Sequence, residues 1–229
     1  MSQPIPFQSP IVIEPPDAPA YLAQMGIQVS DIIDAVAAGD VWAGNMTGRH
    51  YPVTAAGLTR WIYVVGTVRE RLSATQLWVP DDPKNRPISQ RKDGTFTLSV
   101  VGGNEITGII DHPRGPSAAR KRGKATEEAV KNGAVPLITV EALRALQGGI
   151  SDHDSDLRKR PPRGNWFIVY YRDDDAVRVE VSLPRGFKDG QFTSWIVRVI
   201  LDDWRPDSGS ARPRDIGGQD VDFQVVEVV

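Results

Sequence analysis

Val177-Arg178-Val179-Glu180-Val181-Ser182-Leu183 decides the fold. Every second residue is a branched aliphatic, and the residues between them are charged or polar. A period of two places all four apolar side chains on one face of a strand. Trp166 to Arg172 reads as the strand before it, joined through the turn Asp173-Asp174-Asp175. After Pro184 to Gly190, Gln191 to Leu201 reads as a third strand. Three strands with short connections predict an antiparallel meander.

Working backwards, Thr95 to Val101 and Arg86 to Arg91 flank Lys92-Asp93-Gly94 and read as a hairpin. Phe96, Leu98 and Val100 alternate with Thr97, Ser99 and Val101, which predicts one buried and one solvated side. Leu77-Trp78-Val79 reads as a short strand, and Ile106 to Ile110 as an extension of the sheet. The helices are read from a different period. Leu58, Trp61, Ile62, Val65, Val68 and Leu72 recur at three- and four-residue steps, so 54–73 is an amphipathic helix packing on the sheet. Gly66 within it marks a place for close backbone approach. A shorter helix spans 30–39, with Ser30 as N-cap and Gly39 as its stop. Further helices are expected near Thr126 to Lys131 and Thr139 to Gln147. The fold class is therefore α+β: antiparallel sheet with a few packing helices and a C-terminal β-meander.

The domain reading has four parts. Residues 1–27 form a proline-rich arm whose apolar side chains lie on a surface. Residues 28–150 form an N-terminal α+β region, and 151–165 a polar linker. Residues 166–229 form a C-terminal antiparallel β region that closes with a strand over Val221 to Val229.

The chain has 229 residues, enough for a sizeable core. It holds 21 glycines and 18 prolines, which predicts abundant loops. It has no cysteine, which excludes disulfides, zinc-thiolate sites and thiol nucleophiles. The first residues lack the basic and apolar regions of a signal peptide, and no apolar run reaches 18 residues, so a cytoplasmic protein without membrane spans is expected.

Charge is the functional signal. The 27 basic and 29 acidic residues give a net charge of −2. Against that balance, residues 114–124 carry Arg114, Arg120, Lys121, Arg122 and Lys124 with no acidic residue. A second cluster follows at Arg158, Lys159, Arg160 and Arg163. Concentrated positive charge on loops meets phosphate or an acidic surface.

Catalytic signatures are incomplete. Gly102-Gly103-Asn104-Glu105 is a glycine turn, yet it matches neither a dinucleotide fingerprint nor a P-loop. The histidines His50, His112 and His153 match no ligand spacing, so no metal site is predicted. A metal-dependent phosphoesterase needs carboxylates converging on a divalent ion, and Glu105, Asp111, His112 and Glu180 are the residues that would serve. Glu180-Val181-Ser182 lacks the lysine such a site would carry. There is no Gly-x-Ser-x-Gly or Ser-x-x-Lys.

One resemblance is present. Its landmarks are Trp61 with Val68-Arg69-Glu70-Arg71-Leu72, Val101-Gly102-Gly103-Asn104-Glu105-Ile106-Thr107-Gly108, Arg122-Gly123-Lys124-Ala125-Thr126 with Ala129-Val130, and Trp195 with Arg198-Val199-Ile200-Leu201. In these the chain resembles a group of uncharacterised bacterial proteins carried by plasmids, prophages and other accessory DNA. The resemblance covers about two thirds of the chain, outside the arm and the tail. It transfers no catalytic residue and implies mobile-element or phage-defence biology.

The leading expectation is a non-enzymatic binding module that engages nucleic acid or an acidic partner through the two basic clusters, without a cofactor. The first alternative is a metal-dependent phosphoesterase or nuclease, the one reading that calls for a divalent ion. The second is an assembly protein that pairs, with a partner or with itself, through the arm and the C-terminal strand.

Overall fold

A computed structural model of the chain describes residues 9–46, 48–133 and 150–206. In chain order the elements are β1 (Ile11–Ile13), α1 (Ala18–Ala23), α2 (Val29–Gly44), α3 (Ala55–Ala74), β2 (Trp78–Asp81), β3 (Ile88–Arg91), β4 (Phe96–Gly102), α4 (Lys124–Gly133), α5 (Ile150–Lys159), β5 (Gly164–Arg172), β6 (Val177–Lys188) and β7 (Gln191–Ile200). The expected helix over 139–147 and the strand over 221–229 lie outside the described residues.

The seven strands form one sheet in the order β1-β7-β6-β5-β4-β3-β2. The meander β5-β6-β7 is antiparallel, as are β2-β3-β4. The sheet is mixed rather than purely antiparallel, because β4 runs parallel to β5 and β1 parallel to β7. A parallel neighbour needs a long crossover, and the chain from β4 to β5 supplies one that includes α4 and α5. The meander and the earlier hairpin therefore belong to the same sheet, on either side of 151–165. The polar stretch expected as a linker is mostly the helix α5, and its Leu157 is buried in the core. The proline-rich arm contributes an edge strand and a short helix whose Tyr21 and Leu22 are buried.

Sequence alternation sorts the two faces. Val177, Val179, Val181 and Leu183 of β6, with Ile168, Tyr170, Val197 and Val199 beside them, face α1, α2 and α3 in the larger core. Phe167, Val169, Val101 and Trp195 face the other way and form a second core with Ala118, Val130, Phe187 and Phe192. The β6–β7 register advances from Leu183↔Val197 to Pro184↔Trp195, leaving Ile196 as an extra residue. A bulge of this kind bends the strand and redirects a side chain. Here it puts Trp195 on the second face, two residues from Val197 on the first. Residues 184–190, which the sequence places between the second and third strands of the meander, are mostly the bent end of β6. The hairpin turns at Asp189 and Gly190, both at positive φ (53° and 82°), as a tight two-residue turn requires.

The second face is covered, not solvated. Glu180, Ser182 and Arg198 on it are fully buried, and Ser99 nearly so. The covering layer is the chain from Gly103 to Gly123, together with α4. Residues 106–110, expected to extend the sheet, are turns in this layer instead. Gly108, at φ +76°, donates its N–H to Glu180 Oε2 at 2.9 Å. Period-two polarity cannot distinguish water from a polar lid, so the pattern alone suggested a wet face.

The close helix approach expected at Gly66 is absent, since that position faces open space. It occurs at Gly39, because α2 runs on to Gly44. A Cβ on Gly39 would lie 2.5 Å from Val64 Cγ2 and 2.9 Å from the Arg60 carbonyl oxygen. Gly39→Ala gains about 1 kcal/mol of helix preference, but the clash includes backbone and overpacking costs about 1–3 kcal/mol or more. A net loss of stability, read as a lower urea midpoint with unchanged slope, is the expected outcome.

Candidate anion-binding cleft

A large concavity, with a volume of about 1150 Å³, sits at the C-terminal ends of β4 and β5. Its floor is Gly102 to Asn104 and Tyr170 to Arg172. One wall is the start of α3, with Thr54, Leu58 and Trp61. The second is the β2–β3 connection, Lys84 to Pro87. The third is Ala119 to Thr126, which enters α4.

The local sequence explains these placements. Pairing of Ile88 with Ser99 brings the residues before β3 to the C-terminal end of β4. Lys84 and Asn85 take positive φ (52° and 58°), which turns the connection sharply and sets Arg86 against Ser99, whose Oγ accepts from Arg86 Nη1 at 2.9 Å. The basic loop is pinned at several points. Ala119 N–H donates to the Gly102 carbonyl at 2.9 Å, Ala118 N–H to Gln191 Oε1 at 2.9 Å, and Arg122 N–H to the Gly190 carbonyl at 2.9 Å. The hairpin of β6 and β7 thus carries the loop, which is held to the fold through Ala118, Ala119 and Arg122.

Seven cations line the cleft, and Glu128 is the carboxylate among the lining residues. Lys84 pairs with Glu128 at 2.5 Å, and Arg172 with the buried Asp40 at 3.1 Å. Arg86, Arg120, Lys121, Arg122 and Lys124 make no ion pair with a carboxylate among the described residues. Burial draws the Arg86 guanidinium below its ordinary range, and the positive charge of Arg122 adds to the shift. Burial does the same to Arg122; Tyr170 opposes it and Arg120 reinforces it. These arginines remain charged near neutral pH. They form a partly desolvated group of like charges, and a bound anion relieves both the repulsion and the lost hydration. Lys124, Ala125 and Thr126 at the N-terminus of α4 also line the cleft, where the helix dipole favours negative charge.

The two basic clusters are not brought together. Arg158 and Lys159 border a separate cleft of about 400 Å³, with Val12, Ile13, Glu14, Asp17 and Tyr21. Arg158 Nη1 donates to the Val12 carbonyl at 3.2 Å. Arg160 and Arg163 are exposed and line neither cleft, and Arg114 is exposed outside the large cleft. Residues that sequence reasoning passed over complete the site, namely Lys84, Arg86, Trp61 and Tyr171. Arg86 was read only as the start of a strand, and no local signal ties it to Arg122.

Glu105, Asp111, His112 and Glu180 do not line the cleft. Glu105 and Asp111 are exposed, and the Glu105 carbonyl accepts from Arg178 Nη1 at 2.7 Å. His112 is half-buried, and its carbonyl lies 3.5 Å from Arg198 Nη1. Glu180 has no exposure and both carboxylate oxygens are engaged. Oε1 accepts from Arg198 Nε at 3.0 Å and Ser182 Oγ at 2.8 Å; Oε2 accepts from Arg198 Nη2 at 2.5 Å and Gly108 N. Among the described residues, no three His, Cys, Asp or Glu side chains group as metal ligands. No helix there is long and apolar enough to cross a membrane. The chain matches no protein-family model, and comparison with curated proteins and with solved structures finds no match.

Proposed function

We propose that the chain is a binding module that takes a polyanion, nucleic acid before an acidic protein, into the cleft at the ends of β4 and β5. The carrying observation is the pair Arg86 and Arg122. Two half-buried guanidiniums stand in each other's field, and neither has a carboxylate partner among the described residues. Folding a protein around such an arrangement costs stability, and a polyanion returns it on binding. The volume favours a polymer: about 1150 Å³ exceeds the usual range for small-molecule sites, about 300–1,000 Å³.

Fluorescence anisotropy with random-sequence DNA and RNA at two salt concentrations tests this reading. Binding is expected to weaken steeply with salt. The double substitution Arg86→Gln with Arg122→Gln is expected to lower affinity by about one to two orders of magnitude. It should also reduce the slope of log affinity on log salt by about 2. The variant loses the Arg86–Ser99 bond but also the repulsion between two half-buried cations, so it should melt close to the parent. Absence of binding, or binding indifferent to salt and to both substitutions, would refute the reading.

A further inference from the structure

We infer that the polymer is single-stranded, with a base stacked in the cleft on Trp61. This rests on the polyanion reading above and narrows its ligand. The cleft is two-sided in chemistry. Arg86, Arg122 and the start of α4 supply cations and N–H groups on two walls. The α3 wall supplies Trp61, with the half-exposed Leu58 one turn before it. Gly57 adds no side chain there. The Trp61 indole N–H is already used, donating to the Val100 carbonyl at 3.1 Å. That bond fixes the ring and leaves apolar and π surface to a ligand. Tyr171 is less suited, because the Arg178 guanidinium lies over its ring, 5.1 Å from the centroid.

Shape decides between one strand and two. Duplex readers push a helix or ribbon into a groove about 12 Å wide. Here the cations line a concavity of about 1150 Å³, whereas reading a duplex groove needs a projecting element. A single strand can enter, turning phosphates to the basic walls and a base to the indole. Basic groove with aromatic platform is the common design of sequence-tolerant single-strand binders.

The test uses the whole chain with labelled oligo(dT), the matching dA·dT duplex and inorganic polyphosphate. Oligo(dT) should bind more tightly than the duplex. Trp61→Leu should weaken oligo(dT) about tenfold, the scale of one lost stacking contact, and leave polyphosphate unchanged. Trp61→Phe, which keeps an aromatic ring, should stay within about threefold of the parent. Trp61 also packs against the core, so a second readout guards against a folding defect in the variants. Ultraviolet crosslinking of 5-iodouracil oligonucleotide to the unmodified protein should map to the tryptic peptide Trp61–Arg69. Duplex preference, equal losses on oligo(dT) and polyphosphate, or crosslinks confined to other peptides would overturn the inference while leaving the polyanion reading standing. Failure of all three probes to bind the parent protein would overturn both.

Discussion

Glu180→Ala is expected to remove about 3–5 kcal/mol of folding stability, the usual cost of stranding a buried charge. Glu180 and Arg198 are both fully buried on neighbouring strands. Besides holding Glu180, the arginine donates through Nη1 to the Ile109 carbonyl at 3.0 Å. The carboxylate meanwhile receives the Gly108 N–H. The pair is thus a rivet that fastens residues 108–112 to the second sheet face. Alanine leaves a guanidinium in the interior with two of its donors unmatched. Against a total of about 5–15 kcal/mol for a typical domain, such a loss puts the folded state at risk. Urea unfolding followed by tryptophan fluorescence measures it.

A paired replacement separates charge from architecture. Glu180→Leu with Arg198→Met removes both ions, and apolar substitutes for a buried pair are often neutral or stabilising. The double variant should therefore be more stable than Glu180→Ala alone. It should still lose amide-exchange protection at 108–112, because the Gly108 N–H and the Ile109 carbonyl no longer have their side-chain partners. A double variant as unstable as the single one would show that the ion pair itself contributes net stability.

The strands that position this rivet were legible in the sequence because period-two patterning is local. Val177 to Leu183 could be assigned from seven residues, and the helix around Trp61 from its three- and four-residue spacing. What covered each face was not legible. Glu180, Ser182 and Arg198 look like solvent-facing polar residues until residues 103–123 are laid over them, and that contact spans about 70 to 90 positions of chain. The same holds for the cleft. The density of Arg120, Lys121, Arg122 and Lys124 was visible, but their distance from Arg158 and Lys159 was not, because α5 buries Leu157 against the helical side of the sheet. Arg86 and Trp61 enter the site only through β3–β4 pairing and the packing of α3. Parallel pairing of β4 with β5 is the most distant of these events, and no pattern within either strand announces a parallel neighbour.

The buried cluster beneath the cleft predicts the second large effect. Asp40 of α2 accepts from Arg60 Nη2 at 3.0 Å and from Arg172 Nε at 3.1 Å, and all three side chains are essentially without exposure. Asp40→Ala removes the carboxylate that both guanidiniums share. Two buried cations then face each other across an apolar gap, so the cost should equal or exceed the roughly 3–5 kcal/mol of one stranded charge. Asp40→Asn keeps an acceptor oxygen without the charge and should cost less. Arg60→Met should cost least of the three, because it leaves Asp40 and Arg172 as a matched pair. Arg172 is also held from the other side, donating through Nη1 to the Asp174 carbonyl at 2.9 Å and the Ala176 carbonyl at 3.2 Å. Arg172, a residue of the cleft floor, should therefore keep its place in Arg60→Met, and polyanion affinity should stay within about threefold of the parent, less than the effect of one lost charged hydrogen bond. Thermal melts rank the three variants. Anisotropy on Arg60→Met then asks whether the cleft depends on the whole cluster or on Arg172 alone. An Arg60→Met variant that melts below Asp40→Ala would show that Arg60 stabilises the fold through its packing more than Asp40 does through its charge.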